Sequence, residues 1–448
     1  MKRYFNLLII SGLFALPLLT GCKKDEAAQQ AAGRPFTPRI FNETSLFPES
    51  TDSVRVLNVG DTMAFTTLQY SPAQAEITWK INDSIAAKDK QYYFIASAGG
   101  AFRISVNVSH EGWTTVRYRD VFVIPDTYKR KPAANVVMAY IGDTSGYKYV
   151  DFNVVTHMAY KIATINAAGI MDISKGEVAR KAELTVGRAH VAGVPVLMGI
   201  SGALSADGWS VSQSNQFGAV ASDAAKRAAL VQSIKTYITA KKMDGVDILM
   251  TDINASTAVI NANIAATGLL LNDLRAALGA DAILTVTVTG ATYYDRYPDL
   301  SAANWINVHA YEDGVHVGPG KALGQPSGFD YFVQCAGRWT SKYPASKIVM
   351  GIPAFGLRYN TLDADGNNLS WSSYNYIPYK DILAAVPGAA NEEYAAISKG
   401  VYFNGIALVS KKAAWLKANG FRGAYIWTAE YDVQGNQSLT GNIYNTLK

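Results

Sequence analysis

Eight short apolar runs recur between residue 133 and the C-terminus: 136–140, 154–160, 194–200, 246–250, 283–288, 305–308, 348–352 and 424–427. Helical patterns lie between several of them. Leu230, Val231, Ile234, Tyr237 and Ile238 share one helical face, with Ser222 as the expected N-cap. Leu271, Leu274 and Leu278 repeat the pattern up to Gly279, and 407–419 is closed by Gly420 in the same way. Strands that are apolar throughout, alternating with amphipathic helices, require a parallel sheet covered on its faces. Eight of them fit a closed (β/α)8 TIM barrel over 133–448, with a doubly wound open sheet as the alternative that periodicity alone leaves standing.

The region before it has a different period. Residues 39–125 carry short β-rich runs at 54–57, 62–68, 77–81, 92–96, 102–108 and 116–123, separated by turn signals such as Asn58-Val59-Gly60-Asp61 and Gly99-Gly100. Phe102, Ile104, Val106 and Val108 alternate strictly, as in a half-buried antiparallel strand. Trp79 resembles the core tryptophan of an immunoglobulin-like or PKD-like β-sandwich. This domain reads as a spacer, and Trp113 is the one aromatic platform that would make it an accessory binding module. A charged linker, 126–131, joins it to the barrel.

Residues 1–21 read as a lipoprotein signal peptide. Lys2 and Arg3 precede an apolar stretch over 5–19, too short to span a bilayer comfortably. It ends on Leu19-Thr20-Gly21-Cys22, which resembles a bacterial lipobox, where the cysteine is acylated and the chain is cut before it. The alternative is an ordinary secretory signal with a chance cysteine. Lys23-Lys24-Asp25-Glu26 is similar to the acidic export tag of Bacteroidetes surface lipoproteins. The expectation is therefore an outer-membrane lipoprotein facing the cell surface, with 22–38 as tether. The chain has 2 cysteines, so with Cys22 lipidated Cys335 is expected as a small buried residue. A net charge of +5 comes with no long Lys/Arg run, which excludes the electrostatic footprint of a nucleic-acid binder. The 5 histidines have no paired metal-ligand spacing, so neither a metal nor a cofactor is expected.

Within 133–448 the local sequences resemble glycoside hydrolase family 18, the chitinases and endo-β-N-acetylglucosaminidases. Val155-Thr156-His157-Met158-Ala159-Tyr160 is similar to the family's second strand, and 194–202 to its third, with Ser201-Gly202 where Gly-Gly is usual. Asp244-Gly245-Val246-Asp247 matches the start of the fourth-strand signature. Trp305-Ile306-Asn307-Val308-His309-Ala310-Tyr311-Glu312 resembles the sixth strand, 347–356 the seventh, and Gly423-Ala424-Tyr425-Ile426-Trp427 the eighth.

The family's fourth strand reads D-G-x-D-x-D-x-E. Side chains two apart share a strand face, so this spacing lines the barrel mouth with three carboxylates. The family's glutamate protonates the glycosidic oxygen, and the aspartate before it aligns the substrate's own N-acetyl group as nucleophile. Here the segment runs Asp247-Ile248-Leu249-Met250-Thr251-Asp252. Leu249 stands at the assisting aspartate and Thr251 at the acid. A hydroxyl near its unperturbed pKa is no general acid at neutral pH, so the resemblance implies a barrel that has lost the family's chemistry. Asp252 is a rescue candidate if a bulge turns it inward, and Glu312, Glu430 and Asp432 also lie at strand ends.

The sugar-holding positions survive. The resemblance assigns Tyr311 to the acetamido carbonyl and Trp427 to the floor of the −1 subsite. Glu312, Asp247 and Tyr140 complete the candidate glycan-binding set, Asp247 doubling as a structural hydrogen-bond hub. The loop Trp371-Ser372-Ser373-Tyr374-Asn375-Tyr376 would add a stacking wall. The leading expectation is a surface lipoprotein that binds GlcNAc-containing glycans without cutting them, alongside glycosidases and transporters of the same uptake system. Alternatives are an active endo-glycosidase using Asp252 or Glu312, and a protein-binding scaffold.

Overall fold

The structure, a computed structural model, describes residues 37–47, 54–142, 146–166, 168–172, 178–201, 215–250, 256–312 and 316–448. Cys22, Thr251 and Asp252 lie outside the described residues, as do the stretch expected as a signal peptide and the expected tether before residue 37. The chain divides into two compact units, one built around Thr62–Ile95 and Phe102–Val121, the other comprising Phe122–Lys448 with two short upstream pieces.

The N-terminal β region is a sandwich. Val54–Asn58, Trp113–Ile124, Gly100–His110, Glu76–Ile81 and Ser84–Ala87 form a five-stranded sheet in that spatial order, and Thr62–Phe65 pairs antiparallel with Tyr92–Ile95 in a second, two-stranded sheet. Trp79 is fully buried at its centre, 5.0 Å from the Phe65 ring and 5.4 Å from Tyr92, and its indole N–H donates to Asp89 O at 3.0 Å. Phe102 is only half-buried, whereas Ile104, Val106 and Val108 are buried, so the inward alternation is real over most of its length.

The second unit is a closed eight-stranded parallel barrel. Its strands are β1 (Val136–Ile141), β2 (His157–Ile165), β3 (Val196–Ile200), β4 (Gly245–Met250), β5 (Ile283–Thr289), β6 (Trp305–His309), β7 (Ile348–Pro353) and β8 (Gly423–Trp427). Each pairs in parallel with the next, and β8 closes back onto β1 through Val137↔Ala424 and Met138↔Tyr425. Closure excludes the open doubly wound sheet.

Among the described side chains the strands are buried on both faces, apart from half-buried positions such as His157 and His309, which is why they read as largely apolar runs. The faces are nonetheless distinct. Val246, Ile248 and Met250 of β4 join the core under the helices, while Leu249 joins a separate interior cluster with Tyr140, Trp305, Tyr311, Tyr425 and Trp427. The same two-residue alternation holds on β5, β6 and β8.

Two local expectations are corrected. Ser222 ends one helix, Asn215–Ser222, and the next, Ala224–Ala240, is capped by Asp223, whose carboxylate accepts the Lys226 N–H at 3.0 Å. A carboxylate one residue closer to the helix takes the cap that the hydroxyl was expected to take. The stretch after β7 is more than a loop: Phe355–Tyr359, Tyr374–Pro378, Val401–Phe403 and Tyr394–Ala395 form a small antiparallel sheet inserted before the helix Ile406–Ala418. Cys335 is fully buried on the helix Phe329–Thr340.

Candidate functional site

The interior of the barrel is organised around one carboxylate. Asp247 points inward from β4 and is fully buried. Its Oδ2 accepts from the Tyr140 hydroxyl at 2.6 Å and from Thr287 at 2.9 Å. Its Oδ1 accepts from Thr285 at 2.5 Å and from the Asn307 amide at 3.0 Å. The Trp305 indole N–H donates to Asn307 Oδ1 at 2.9 Å, which fixes the amide with its NH2 toward Asp247. Burial raises the Asp247 carboxyl above its ordinary value, and the donors from Thr285, Tyr140, Thr287 and Asn307 pull against that rise. Tyr140 stays protonated far into the alkaline range because it is buried and faces the Asp247 charge. Asp247 is thus a hydrogen-bond hub that ties β1, β4, β5 and β6 together, with both oxygens occupied by protein donors.

These donors come from a legible pattern. Ile283-Leu284-Thr285-Val286-Thr287-Val288-Thr289 places its threonines two apart, on the inward face with Ile283, and Leu284, Val286 and Val288 outward. An apolar reading of the run passes over Thr285 and Thr287, and the period-two threonines are the signal that finds them; Asn307, on β6, carries no such signal.

Above the hub, aromatic rings line the interior. Leu249 follows Asp247 on the same face and is 1 % exposed. Tyr140 sits 4.9 Å from the Trp427 ring and 5.2 Å edge-on from Tyr425. The Tyr425 and Tyr311 hydroxyls are 3.4 Å apart, and His309 stacks on Tyr311 at 3.7 Å. Gly351 of β7 is what lets these rings meet. A Cβ at that position would lie 2.5 Å from the Tyr425 hydroxyl and 2.8 Å from the Tyr311 ring. Trp427 is 8 % exposed and Tyr311 1 %, so the protein itself covers most of both rings.

Glu312 follows Tyr311 at φ +64°, a left-handed conformation uncommon for a residue with a Cβ. Its backbone N–H donates to Pro326 O at 2.9 Å, and its carboxylate lies 3.8 Å from His309 Nε2. The Tyr376 hydroxyl also bonds Glu312; burial first, and the Glu312 charge second, hold that tyrosine protonated. Burial holds His309 neutral by lowering its pKa to about 3. Rings then step outward along the inserted sheet: Tyr311 to Phe355 at 6.0 Å, Phe355 to Tyr376 at 5.3 Å, Tyr376 to Tyr374 at 5.9 Å. Trp371 precedes this row and is 66 % exposed. Phe355 and Tyr425 belong to the site and were not singled out from sequence, because they stand inside runs that look like ordinary core.

The other strand-end carboxylates have local partners. Asp432 is buried and accepts from Leu439 N, Thr440 N and the hydroxyls of Ser438 and Thr440, anchoring the start of the helix Leu439–Leu447. Glu430 accepts the Gly142 N–H. The arrangement therefore offers aromatic surface, hydroxyls and the Glu312 carboxylate. Among the described residues, no group of three or more His, Cys, Asp or Glu side chains is placed to hold a metal.

Comparison with known proteins agrees with this architecture. The family described as Glycosyl hydrolases family 18 matches residues 136–432. Chitinase 1 of Aphanocladium album is 24 % identical over 282 residues, 54 % of this chain and 64 % of that protein, so the chain spans less than two thirds of that relative's length. Among solved structures, the family 18 chitinase ChiB from the chitin utilization locus of Flavobacterium johnsoniae aligns with TM-score 0.56 and 20 % identity, covering 70 % of this chain and 94 % of that one. The chitinase-like agglutinin of Robinia pseudoacacia aligns with TM-score 0.55 and 19 % identity, covering 69 % and 99 %. At such identities the structural likeness establishes the fold. With the family match running from β1 to the carboxylate that anchors the last helix, the chain belongs to glycoside hydrolase family 18.

Proposed function

We propose that this protein is a non-catalytic surface lipoprotein that holds GlcNAc-containing glycans, chitin-type or N-glycan, at the mouth of its family 18 barrel. The observation that carries the reading is Leu249, an apolar side chain 1 % exposed among the interior tyrosines and Trp427, at the position where substrate-assisted hydrolysis needs a carboxylate. A leucine neither orients an acetamide nitrogen nor stabilises a developing cation. Thr251, read from the sequence, brings a hydroxyl where the acid belongs, and no proton reaches a leaving group near neutral pH by that route. What remains suits holding a sugar. Aromatic faces stack on the C–H faces of pyranose rings, and Trp427, Tyr376 and exposed Trp371 supply them, while Tyr311 is the residue that the resemblance sets against the acetamido carbonyl. Glu312 adds one ionisable acceptor for sugar hydroxyls, while Asp247 and Tyr140 hold the wall behind it.

The Cys22 lipid anchor would hold the protein on the outer membrane. There it would present captured chains to glycosidases and transporters. Titration calorimetry with chitooligosaccharides and high-mannose N-glycans is expected to give heats of binding with no release of reducing ends. Silence toward both at millimolar ligand overturns the proposal. Release of free glycan that vanishes in Asp252→Asn or Glu312→Gln would make the protein an enzyme instead. The double substitution Leu249→Asp with Thr251→Glu should add measurable hydrolysis to a protein that binds but does not cut.

A further inference from the structure

The helix Ile406–Ala418 buries a lysine completely. Lys412 Nζ donates to Ser327 O at 2.5 Å, to Ser327 Oγ at 2.7 Å and to Asn404 Oδ1 at 2.5 Å. The Ser327 hydroxyl gives its single hydrogen to Ala310 O at 2.7 Å, so it can only accept from Nζ. Three acceptors call for three hydrogens, the complement of an ammonium. Burial works against that charge, and Glu393 favours it from a distance. The Phe332 ring lies 4.8 Å from Nζ. A buried ammonium is a costly way to pack a helix that a leucine would pack as well.

The bonds lead toward the candidate site. Ser327 and Pro326 grip the end of β6 on both sides of Tyr311: Ala310 O takes the Ser327 hydroxyl, and Pro326 O takes the Glu312 N–H at 2.9 Å. Glu312 is held in a left-handed conformation that persists only where its surroundings over-determine it. Asn404, the third acceptor, lies where the inserted sheet gives way to the helix, just after Val401–Phe403. One side chain therefore pins the 326–327 brace, the exit of the inserted sheet and the helix to a common point.

We infer that Lys412 is a positioning residue for the glycan site, fixing the backbone of Tyr311 and Glu312 through Ser327. The inference rests on the reading in which those two residues face the sugar. Lys412→Met keeps the length and apolar stem of the side chain and removes the three donors. Ser327→Ala removes the hydroxyl, and with it the link to Ala310 O and one of the three acceptors of Nζ, and leaves the Ser327 carbonyl for the lysine. Both variants are assayed as the full barrel-containing chain at a temperature where circular dichroism reports them folded. Affinity for penta-N-acetylchitopentaose is expected to fall about tenfold or more in each, equivalent to about 1.4 kcal/mol. Amide hydrogen exchange at Glu312 should accelerate more than at Ile248 in the barrel core. A lysine that merely packs the helix would lower the melting temperature and leave affinity within twofold of wild type; that result overturns the inference. If Lys412→Met does not fold, Ser327→Ala decides alone. If the wild-type protein binds no sugar, the proposed function fails, and Glu312 exchange still decides: unchanged protection in the variants overturns the positioning role as well.

Discussion

Gly351→Ala tests the packing of the barrel interior most directly. The added methyl would sit 2.5 Å from both Cζ and the hydroxyl of Tyr425 and 2.8 Å from Cε1 of Tyr311. Comfortable carbon contacts begin near ~3.5 Å, so Tyr425 must retreat by about 1 Å and Tyr311 by somewhat less. Neither has room. Tyr425 is fully buried with Tyr140 at 5.2 Å behind it, and Tyr311 is wedged between His309 at 3.7 Å and Phe355 at 6.0 Å. The glycine cannot move instead, because β7 is paired on both sides, with β6 and β8. Overpacking of this kind costs about 1–3 kcal/mol, or roughly 2–4 °C of melting temperature for each kcal/mol in a domain somewhat smaller than this one. Displacing Tyr311 should also weaken chitooligosaccharide binding about tenfold. The measurements are thermal unfolding and calorimetry, with Gly337→Ala as control. Gly337 lies on an exposed helical position with nothing near its missing Cβ, and alanine there should stabilise by up to ~1 kcal/mol. If Gly351→Ala melts and binds like the wild type, the barrel interior is looser than these contacts require, and the assignment of Tyr311 to the sugar site fails with it.

Two further predictions concern pH. Asp244, at the lower end of β4, is desolvated, which raises its pKa, but His190 Nε2 at 2.9 Å, the Tyr128 hydroxyl and Val196 N at 2.8 Å outweigh this and leave it below its ordinary 3.8. The stability it contributes is present above pH 3.8 and is lost as pH falls through the lower folded value. Asp244→Asn should therefore lose about 2 kcal/mol at pH 7, the gap to wild type closing below pH 3.8; equal urea midpoints at pH 7 would refute this. His157 and His309 act in a higher window, since burial lowers both from 6.5 to about 3. The unfolded chain then takes up protons first, so stability should be full above pH 6.5 and decline steadily toward pH 3. Urea midpoints that stay flat from pH 7 to 4 would count against it.

Much of the barrel is readable from the chain alone, because a strand buried on both faces is apolar at most positions, its few polar residues paired with one another, and a helix on its flank only at every third or fourth. All eight apolar runs became barrel strands, displaced by at most a few residues at their ends. Period two also places Asp247 and Leu249 on one face without any structure, and with them the contrast on which the functional reading stands. The inserted sheet was not found: its strands are short, and Phe355–Tyr359 continues so closely from β7 that the chain reads as one strand and a loop. Trp371 and Tyr376 were singled out, but as parts of that loop.

The sequence by itself therefore determined the alternation of buried strands with covering helices, and the leucine at 249 where the family resemblance sets an aspartate. It could not determine which side chains meet. A period sets the direction in which a residue points, whereas its neighbours depend on strand register and barrel closure, which bring together residues far apart in the chain. Only the tertiary structure decided that Asp247 is encircled by Tyr140, Thr285, Thr287 and Asn307, that Gly351 makes way for Tyr311 and Tyr425, and that Lys412 reaches Ser327 behind the Tyr311 end of β6.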